Sequence, residues 1–377
     1  MPKDVKVPWW SPQIGPNELG LVSEVLASGY INEGEFVERF ERRIAELLGA
    51  KHAVATTSGT IAIFLSLAAL GVGPGDEVIV PDVTFIATAN AVKLTGATPV
   101  LVDVLPDTGN IDPAATERAL TPRTKAIVPV HVSGRGADMP SIMGLAKRRG
   151  LVVVEDAAEG LLSKRGGKWL GTWGEAGCFS FSPNKTVTSG QGGMVVTDDA
   201  RLAGRMRELK DQGRPVRGTG GDDVHPSLGF NFKLTNLQAA VGLGQLGYLA
   251  ERTTRQKRIY QLYAEGLRGV EGIQLMGFDV DGGECPQWTD ALCERRDELD
   301  AFLQKSGMSC RRFWFPLHTQ APYALPDDSF PNALRVCRSA LWLPSAFTLG
   351  DEDVGRVVAA IRGFYGGGPS GGKQGAP

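Results

Sequence analysis

The chain has 377 residues, 42% of them hydrophobic and 22% charged, with Lys+Arg 40 against Asp+Glu 42 and a formal net charge of -2. That balance gives no basic excess for nucleic acid, and the length exceeds the ~250–300 residues at which single cores stop growing, so two domains are expected. No stretch reaches the ~18 apolar residues of a membrane span, the N-terminal residues lack a signal-peptide core, and the scattered Cys178, Cys285, Cys293, Cys310 and Cys337 suit reduced thiols in a cytoplasm better than disulfides or zinc.

The first two-thirds alternates short β-branched runs with helical patterns. Strands are expected at 52–56, 77–80, 98–104, 126–132, 151–155, 178–182 and 193–197. Helices are expected between them at 59–70, 87–94, 113–120 and 140–149, the last capped by Asp138. Such alternation predicts an α/β fold with a mostly parallel sheet covered on both faces. Ligands in these folds sit at the carboxyl ends of the strands. A helical segment over 248–267 then leads into sparser elements. The division expected is a large cofactor-binding domain (1–250), a small C-terminal domain (251–365) and a glycine-rich disordered tail (366–377).

Lys185 lies in a loop just past one predicted strand, 29 positions after Asp156, which ends another. Pyridoxal phosphate chemistry needs this pairing. A lysine holds the cofactor as a Schiff base, and an aspartate keeps its pyridine nitrogen protonated so that the ring is an electron sink. Thr57-Ser58-Gly59-Thr60 opens the helix expected from residue 59 and suits a phosphate, or is a plain cap at Ser58. Phe85 follows a strand end and either stacks on a planar ring or fills the core. Ser180 could donate to the phosphate or bond locally. Glu159 could reach the ring's phenolic oxygen or stay a surface charge. Asn231 and Lys233, before the helix expected over 235–246, could bind phosphate or substrate, with Thr235 as an ordinary cap the alternative. The histidines His52, His131, His225 and His318 lack metal-ligand spacing; His131 is either a pocket or a structural residue.

Together, Thr57-Ser58-Gly59-Thr60, residues 81–90, Pro129-Val130-His131, Glu155-Asp156-Ala157-Ala158, residues 180–185, Gly192-Gly193-Met194-Val195 and residues 229–240 resemble the DegT/DnrJ/EryC1/StrS family of pyridoxal-phosphate sugar aminotransferases. The resemblance runs over residues 8 to 362. Glu159, Asn184-Lys185-Thr186 and Phe315-Pro316-Leu317-His318 look most like the GDP-perosamine synthase type within it. Gln191, where the family commonly has Glu, and Ser182-Pro183 depart from its pattern.

The resemblance implies a fold like that of the type I, aspartate-aminotransferase-like enzymes, with pyridoxal 5'-phosphate as cofactor. It implies Lys185 as Schiff-base lysine and proton shuttle, Asp156 at the pyridine nitrogen and Phe85 on the ring. Ser58, Gly59, Thr60 and Ser180 would lie at the phosphate, and Asn231 would reach the phosphate of a neighbouring subunit's cofactor in a homodimer with shared sites. Glutamate would give its amino group to a keto group, at carbon 3 or 4, of a nucleotide-linked deoxy sugar. Tyr30, Asn32, Lys233, Arg312 and His318 are the substrate candidates. The rival readings are a cofactor-dependent sugar dehydratase, against which Lys185 argues, a cyclitol aminotransferase, and a non-catalytic binding protein on the same fold.

Overall fold

The computed structural model describes residues 6–215 and 224–366. Strands β1 (His52–Thr56), β2 (Glu77–Pro81), β3 (Thr98–Val102), β4 (Thr124–Ile127), β5 (Val152–Asp156), β8 (Ala176–Ser180) and β9 (Gly193–Thr197) form a seven-stranded sheet. A hairpin of β6 (Lys164–Arg165) and β7 (Lys168–Trp169) interrupts the run. The order across the large sheet is β1-β9-β8-β5-β4-β2-β3. The pairs β2–β3, β2–β4, β4–β5 and β5–β8 are parallel, and β9 is antiparallel to both its neighbours, β1 and β8. Strands β2 and β9 are buried along their whole length, which is why their middles, 78–80 and 194–196, read as unbroken apolar runs rather than alternating ones.

Helices α1 (Pro16–Ser28), α2 (Glu35–Leu48), α3 (Gly59–Ala69), α4 (Ala87–Leu94), α5 (Pro113–Arg118), α6 (Met139–Arg149), α7 (Ala200–Lys210) and α8 (Asn236–Leu246) belong to this part. The stripe Phe36, Phe40, Ile44 and Leu48 on α2 packs in one apolar cluster with Ala53, Phe179, Met194 and Val196. Ala62, Leu65 and Met206 join Val54, Val78 and Val195 in another. Asp138 caps α6 by accepting from the Ser141 amide, as expected. The strand expected over 126–132 stops at Ile127, and the chain turns at Val132–Gly134, where Ser133 takes φ 57. The strand expected over 178–182 lies two residues earlier and ends at Ser180, which frees the following residues for the Lys185 loop.

Helix α9 (Leu249–Gly266) leads into a smaller C-terminal part. Its sheet, β10 (Ile273–Leu275), β11 (Thr289–Cys293), β12 (Arg311–Arg312) and β13 (Ala340–Leu343), has the order β10-β11-β13-β12 and antiparallel pairings. Helices α10 (Arg296–Lys305), α11 (Pro331–Ser339) and α12 (Asp351–Gly366) cover it. Residues 6–10, which the sequence-based division assigns to the large part, lie against this sheet instead. Val7 bridges Met308, and the rings of Trp9 and Trp10 pack on Trp288 at 5.0 and 4.8 Å. Burial of Trp10 and partial burial of Trp9 outweigh proximity along the chain. Gly366 ends α12, so the expected tail starts one residue too early; 367–377 lie outside the described residues.

Two buried polar latches join the parts. Arg135 donates to Asp290 Oδ2 at 2.9 Å and to the Gly277 carbonyl at 2.7 Å, and lies over the Phe278 ring. Asp82, at the end of β2, accepts from the His318 amide at 2.7 Å and pairs with His318 Nδ1 at 2.6 Å. Among the described residues no helix is long and apolar enough to cross a membrane, and no His, Cys, Asp and Glu are grouped to hold a metal ion.

Candidate active site

A cavity of about 370 Å³ opens at the carboxyl ends of β5 and β8 and the start of α3. Ser58, Gly59, Thr60, Phe85, Asp156, Glu159, Ser180 and Lys185 all line it, so one space collects eight of the residues singled out from sequence.

Asp156 enters from the last position of β5, only 6% exposed. Its Oδ2 accepts from Thr88 Oγ1 at 2.7 Å and its Oδ1 from the Ala158 amide at 3.1 Å. Burial pushes its carboxyl above the ordinary value, against the pull of these donors. The preceding residue, Glu155, points to the other face of the strand. Its carboxylate accepts from the amides of Gly171, Trp173 and Gly174 and pairs with His131 Nε2 at 2.9 Å. His131 Nδ1 accepts from the Ala137 amide, so Nε2 carries the proton. His131 is therefore the structural histidine of the two readings.

Lys185 Nζ donates to Glu159 Oε1 at 3.0 Å. The same oxygen accepts from Trp288 Nε1 at 3.1 Å, and Glu159 Oε2 accepts from the Ser133 amide at 2.8 Å. Glu159 is thus a buried carboxylate held by three donors. Ser133 keeps its left-handed backbone because further bonds over-determine it: its Oγ donates to Asp290 Oδ1 at 2.8 Å and accepts from Trp342 Nε1 at 3.2 Å.

The wall contributed by the C-terminal part consists of Trp288, Trp314, Trp342 and Arg311. The Arg311 guanidinium lies 5.1 Å from the Trp9 ring and 5.2 Å from that of Trp342. Stacking of this kind positions a guanidinium without using its N–H donors. These four residues escaped the sequence reading. Seven tryptophans in 377 residues were the available signal.

Other candidates lie elsewhere. Arg312 turns outward to Asp300 at 3.2 Å, because neighbours in a strand face opposite ways, and Arg311 takes the inward place. His318 is buried in its pairing with Asp82 and stacked on Phe330 at 4.5 Å, so it is a latch between the two parts rather than a residue of the cavity. Tyr30 and Asn32 are exposed on the α1–α2 connection, where their carbonyls accept from Asn236. Lys233 pairs with Asp211, and the exposed Asn231 bridges Asp211.

The residues in the cavity fit pyridoxal phosphate. The first amides of α3 lack carbonyl partners one turn back and open on the cavity beside Ser180. A Cβ on Gly59 would come 3.0 Å from Ser180 Cβ, and one on Gly193 2.3 Å from the Ser58 carbonyl, so the cradle is as tight as backbone permits. Ser58 also performs the bland role, accepting from the Ile61 amide as the cap of α3. A cationic ring nitrogen would offset the burial of Asp156, and the Phe85 ring, 55% exposed, is free to stack.

The chain is similar to known proteins along most of its length. The chain is 40% identical over 360 residues to GDP-perosamine synthase of Caulobacter vibrioides, covering 93% of this chain and 96% of that protein. Among solved structures, S. venezuelae DesV superposes with a TM-score of 0.88 at 37% identity, covering 92% of this chain and 94% of that one. DesI, solved in the presence of its TDP-sugar product, gives 0.86 at 33%, covering 95% and 92%. The profile of the DegT/DnrJ/EryC1/StrS aminotransferase family matches residues 12–362, nearly the whole described chain, and it is to this family that the protein belongs.

Proposed function

We propose that this protein transfers an amino group from glutamate to a keto group, at carbon 3 or 4, of a nucleotide-linked deoxy sugar, as a homodimer with shared active sites. The coarser statement, a pyridoxal-phosphate-dependent sugar aminotransferase, follows from family membership. The observation that carries the reading is one cavity in which Lys185 Nζ sits 3.0 Å from Glu159 Oε1 and the buried Asp156 is aligned by Thr88. The likeness to GDP-perosamine synthase and to DesI supports a nucleotide sugar.

Bound pyridoxal phosphate supplies a carbonyl for amines to condense with and a ring that accepts the electron pair of a broken C–H bond. In this reading Asp156 would keep the ring nitrogen protonated, Phe85 would stack on the ring and Glu159 would reach its phenolic oxygen. Ser58, Gly59, Thr60 and Ser180 would hold the phosphate. Lys185 Nζ takes the proton from the donor's α-carbon, and Glu159 gives the ammonium a fixed place to rest. Arg311, stiffened by Trp9 and Trp342, receives the donor's carboxylate. Asn231, with Tyr30, Asn32 and Lys233, acts from the second copy, since none of them lines the cavity of its own chain.

The test is the absorption spectrum of the purified protein with pyridoxal phosphate, before and after glutamate. A yellow band that glutamate bleaches, and that Lys185→Ala lacks, is expected. No band in the unsubstituted protein would overturn the reading of Lys185. A band that ignores glutamate would overturn the donor.

A further inference from the structure

The loop carrying Lys185 meets few of its own backbone polar groups. The Lys185 amide donates to the Ser182 carbonyl at 3.1 Å, and the Ser189 amide to the Phe181 carbonyl at 3.0 Å. The groups flanking Lys185 are satisfied by side chains from far along the chain. Gln287 Nε2 donates to the Asn184 carbonyl at 3.4 Å. Gln287 Oε1 accepts from the Thr186 amide at 3.3 Å and from its hydroxyl at 2.9 Å. Arg252 donates to the Thr186 carbonyl at 2.8 Å.

Gln287 is itself fixed. It is 3% exposed, and its own amide donates to the Ser133 carbonyl at 2.8 Å. The next residue, Trp288, donates to Glu159 Oε1, the atom that also accepts from Lys185 Nζ. One dipeptide therefore grips the lysine at both ends, the backbone through Gln287 and the partner of the ammonium through Trp288.

We propose that Gln287 is a positioning residue for Lys185: its side-chain amide bridges Asn184 and Thr186 and so sets where the lysine can deliver its proton. The proposal deepens the aminotransferase reading and rests on Lys185 being the reacting amine. The chemistry asks for an amide. The site needs a donor at one end and an acceptor at the other, which glutamine supplies, an ionised glutamate half supplies and leucine does not. Buried backbone groups left without partners drive a loop to rearrange, and a displacement of about 1 Å at a reacting group slows turnover by roughly 100-fold.

The experiment compares the unsubstituted protein with Gln287→Leu, Gln287→Glu and Thr186→Val. In the cofactor-free proteins, amide exchange over residues 184–188 is expected to accelerate about ten-fold or more in Gln287→Leu, as for a loop that loses its fixed partners, with exchange in α3 unchanged. In the cofactor-loaded proteins, the single-turnover rate with saturating glutamate is expected to fall roughly 10–100-fold, the half-saturating concentration to stay within about three-fold, and the pH midpoint of the visible band to move. Gln287→Glu is expected to fall between, since it keeps the contacts to Thr186 and loses the one to Asn184. A purely structural role would lower thermal stability and leave rate per loaded site and pH midpoint unchanged; that result overturns the proposal. Should Gln287→Leu not fold, Thr186→Val read beside Gln256→Leu decides, because the Thr186 hydroxyl bonds both Gln287 and Gln256: unchanged exchange and rate in Thr186→Val, or the same change in Gln256→Leu, overturn the proposal, and faster exchange with a slower rate in Thr186→Val alone supports it. Failure of the unsubstituted protein to bleach with glutamate would overturn the functional reading, and the exchange result would still decide the clamp.

Discussion

Asp156→Asn is expected to slow the enzyme severely and yet to stabilise the cofactor-free protein. Asparagine fits the site. Its Oδ1 can keep the Ala158 amide, and its Nδ2 can donate to Thr88 Oγ1 once that hydroxyl turns towards Thr84 Oγ1 at 2.8 Å or the Phe85 carbonyl at 3.3 Å. The substitution removes a carboxylate that burial pushes above its ordinary pKa. For such a group the protonated form is favoured in the fold, so it carries no penalty below the unfolded value of ~3.9 and a growing one as pH rises from there to the folded pKa. The stability gap between Asp156→Asn and the unsubstituted protein should therefore open above about pH 4 and widen with rising pH until the folded pKa is passed. Catalysis moves the other way. Breaking a buried charge pair costs about 3–5 kcal/mol, which at 1.36 kcal/mol per decade is roughly 10²–10⁴ in rate. Thermal unfolding of the cofactor-free proteins between pH 4 and 8 and stopped-flow bleaching by glutamate check both halves. A neutral-pH melting temperature below that of the unsubstituted protein, or a rate within about ten-fold of it, would refute the assignment of Asp156.

Glu159→Gln keeps one oxygen for Lys185 and Trp288 but turns an NH₂ group towards the Ser133 amide, so a loss of about 1–3 kcal/mol is expected in the denaturant midpoint. Asp82→Ala orphans the buried His318 latch and should cost about 3–5 kcal/mol, whereas Asp351→Ala, on the surface pairs with Arg258 and Arg255, should leave the denaturant midpoint almost unchanged. Arg311→Met should raise the half-saturating glutamate concentration roughly 10–100-fold, from the about 1.5–3 kcal/mol of charge-assisted bonds it removes. Arg312→Met, on the opposite face of the same strand, should leave that concentration unchanged in the same titration.

What was legible in the sequence follows the range over which each signal acts. The strands and caps of the large part are local features: β-branched runs, Ser58 before α3, Asp138 before α6. Asp156 and Lys185 stood out as candidates because one ends β5 and the other lies in the loop after β8, where ligands of this kind of sheet sit. The stripe Phe36, Phe40, Ile44 and Leu48 carries a clear helical period that went unread. Gln287, Trp288 and Arg311 had no such marker. Their places depend on β11 and β12 meeting β13 in one register and on the C-terminal part facing the cavity at the ends of β5 and β8, which spacing along the chain does not encode. Arg311 and Arg312 show the limit most sharply, since only the pairing of Arg311 with Trp342 and Arg312 with Leu341 tells the inward residue from the outward one.

The place of β9 in the sheet sets an order of events during synthesis. β1 pairs only with β9 in the sheet, joining His52–Thr56 to Gly193–Thr197. The proposed phosphate cradle follows β1 and the Lys185 loop precedes β9, so the same late strand brings both into one frame. At about 5–20 residues per second a ribosome needs roughly 7–30 s to extend the nascent chain from one strand to the other. Through that interval the inner edge of β1 is without its partner, the kind of open edge that chaperones shield. On the roles proposed above, capture of the cofactor waits for β9 to pair with β1, and a yellow holoprotein would be a visible sign that the last strand of the large sheet has reached its first.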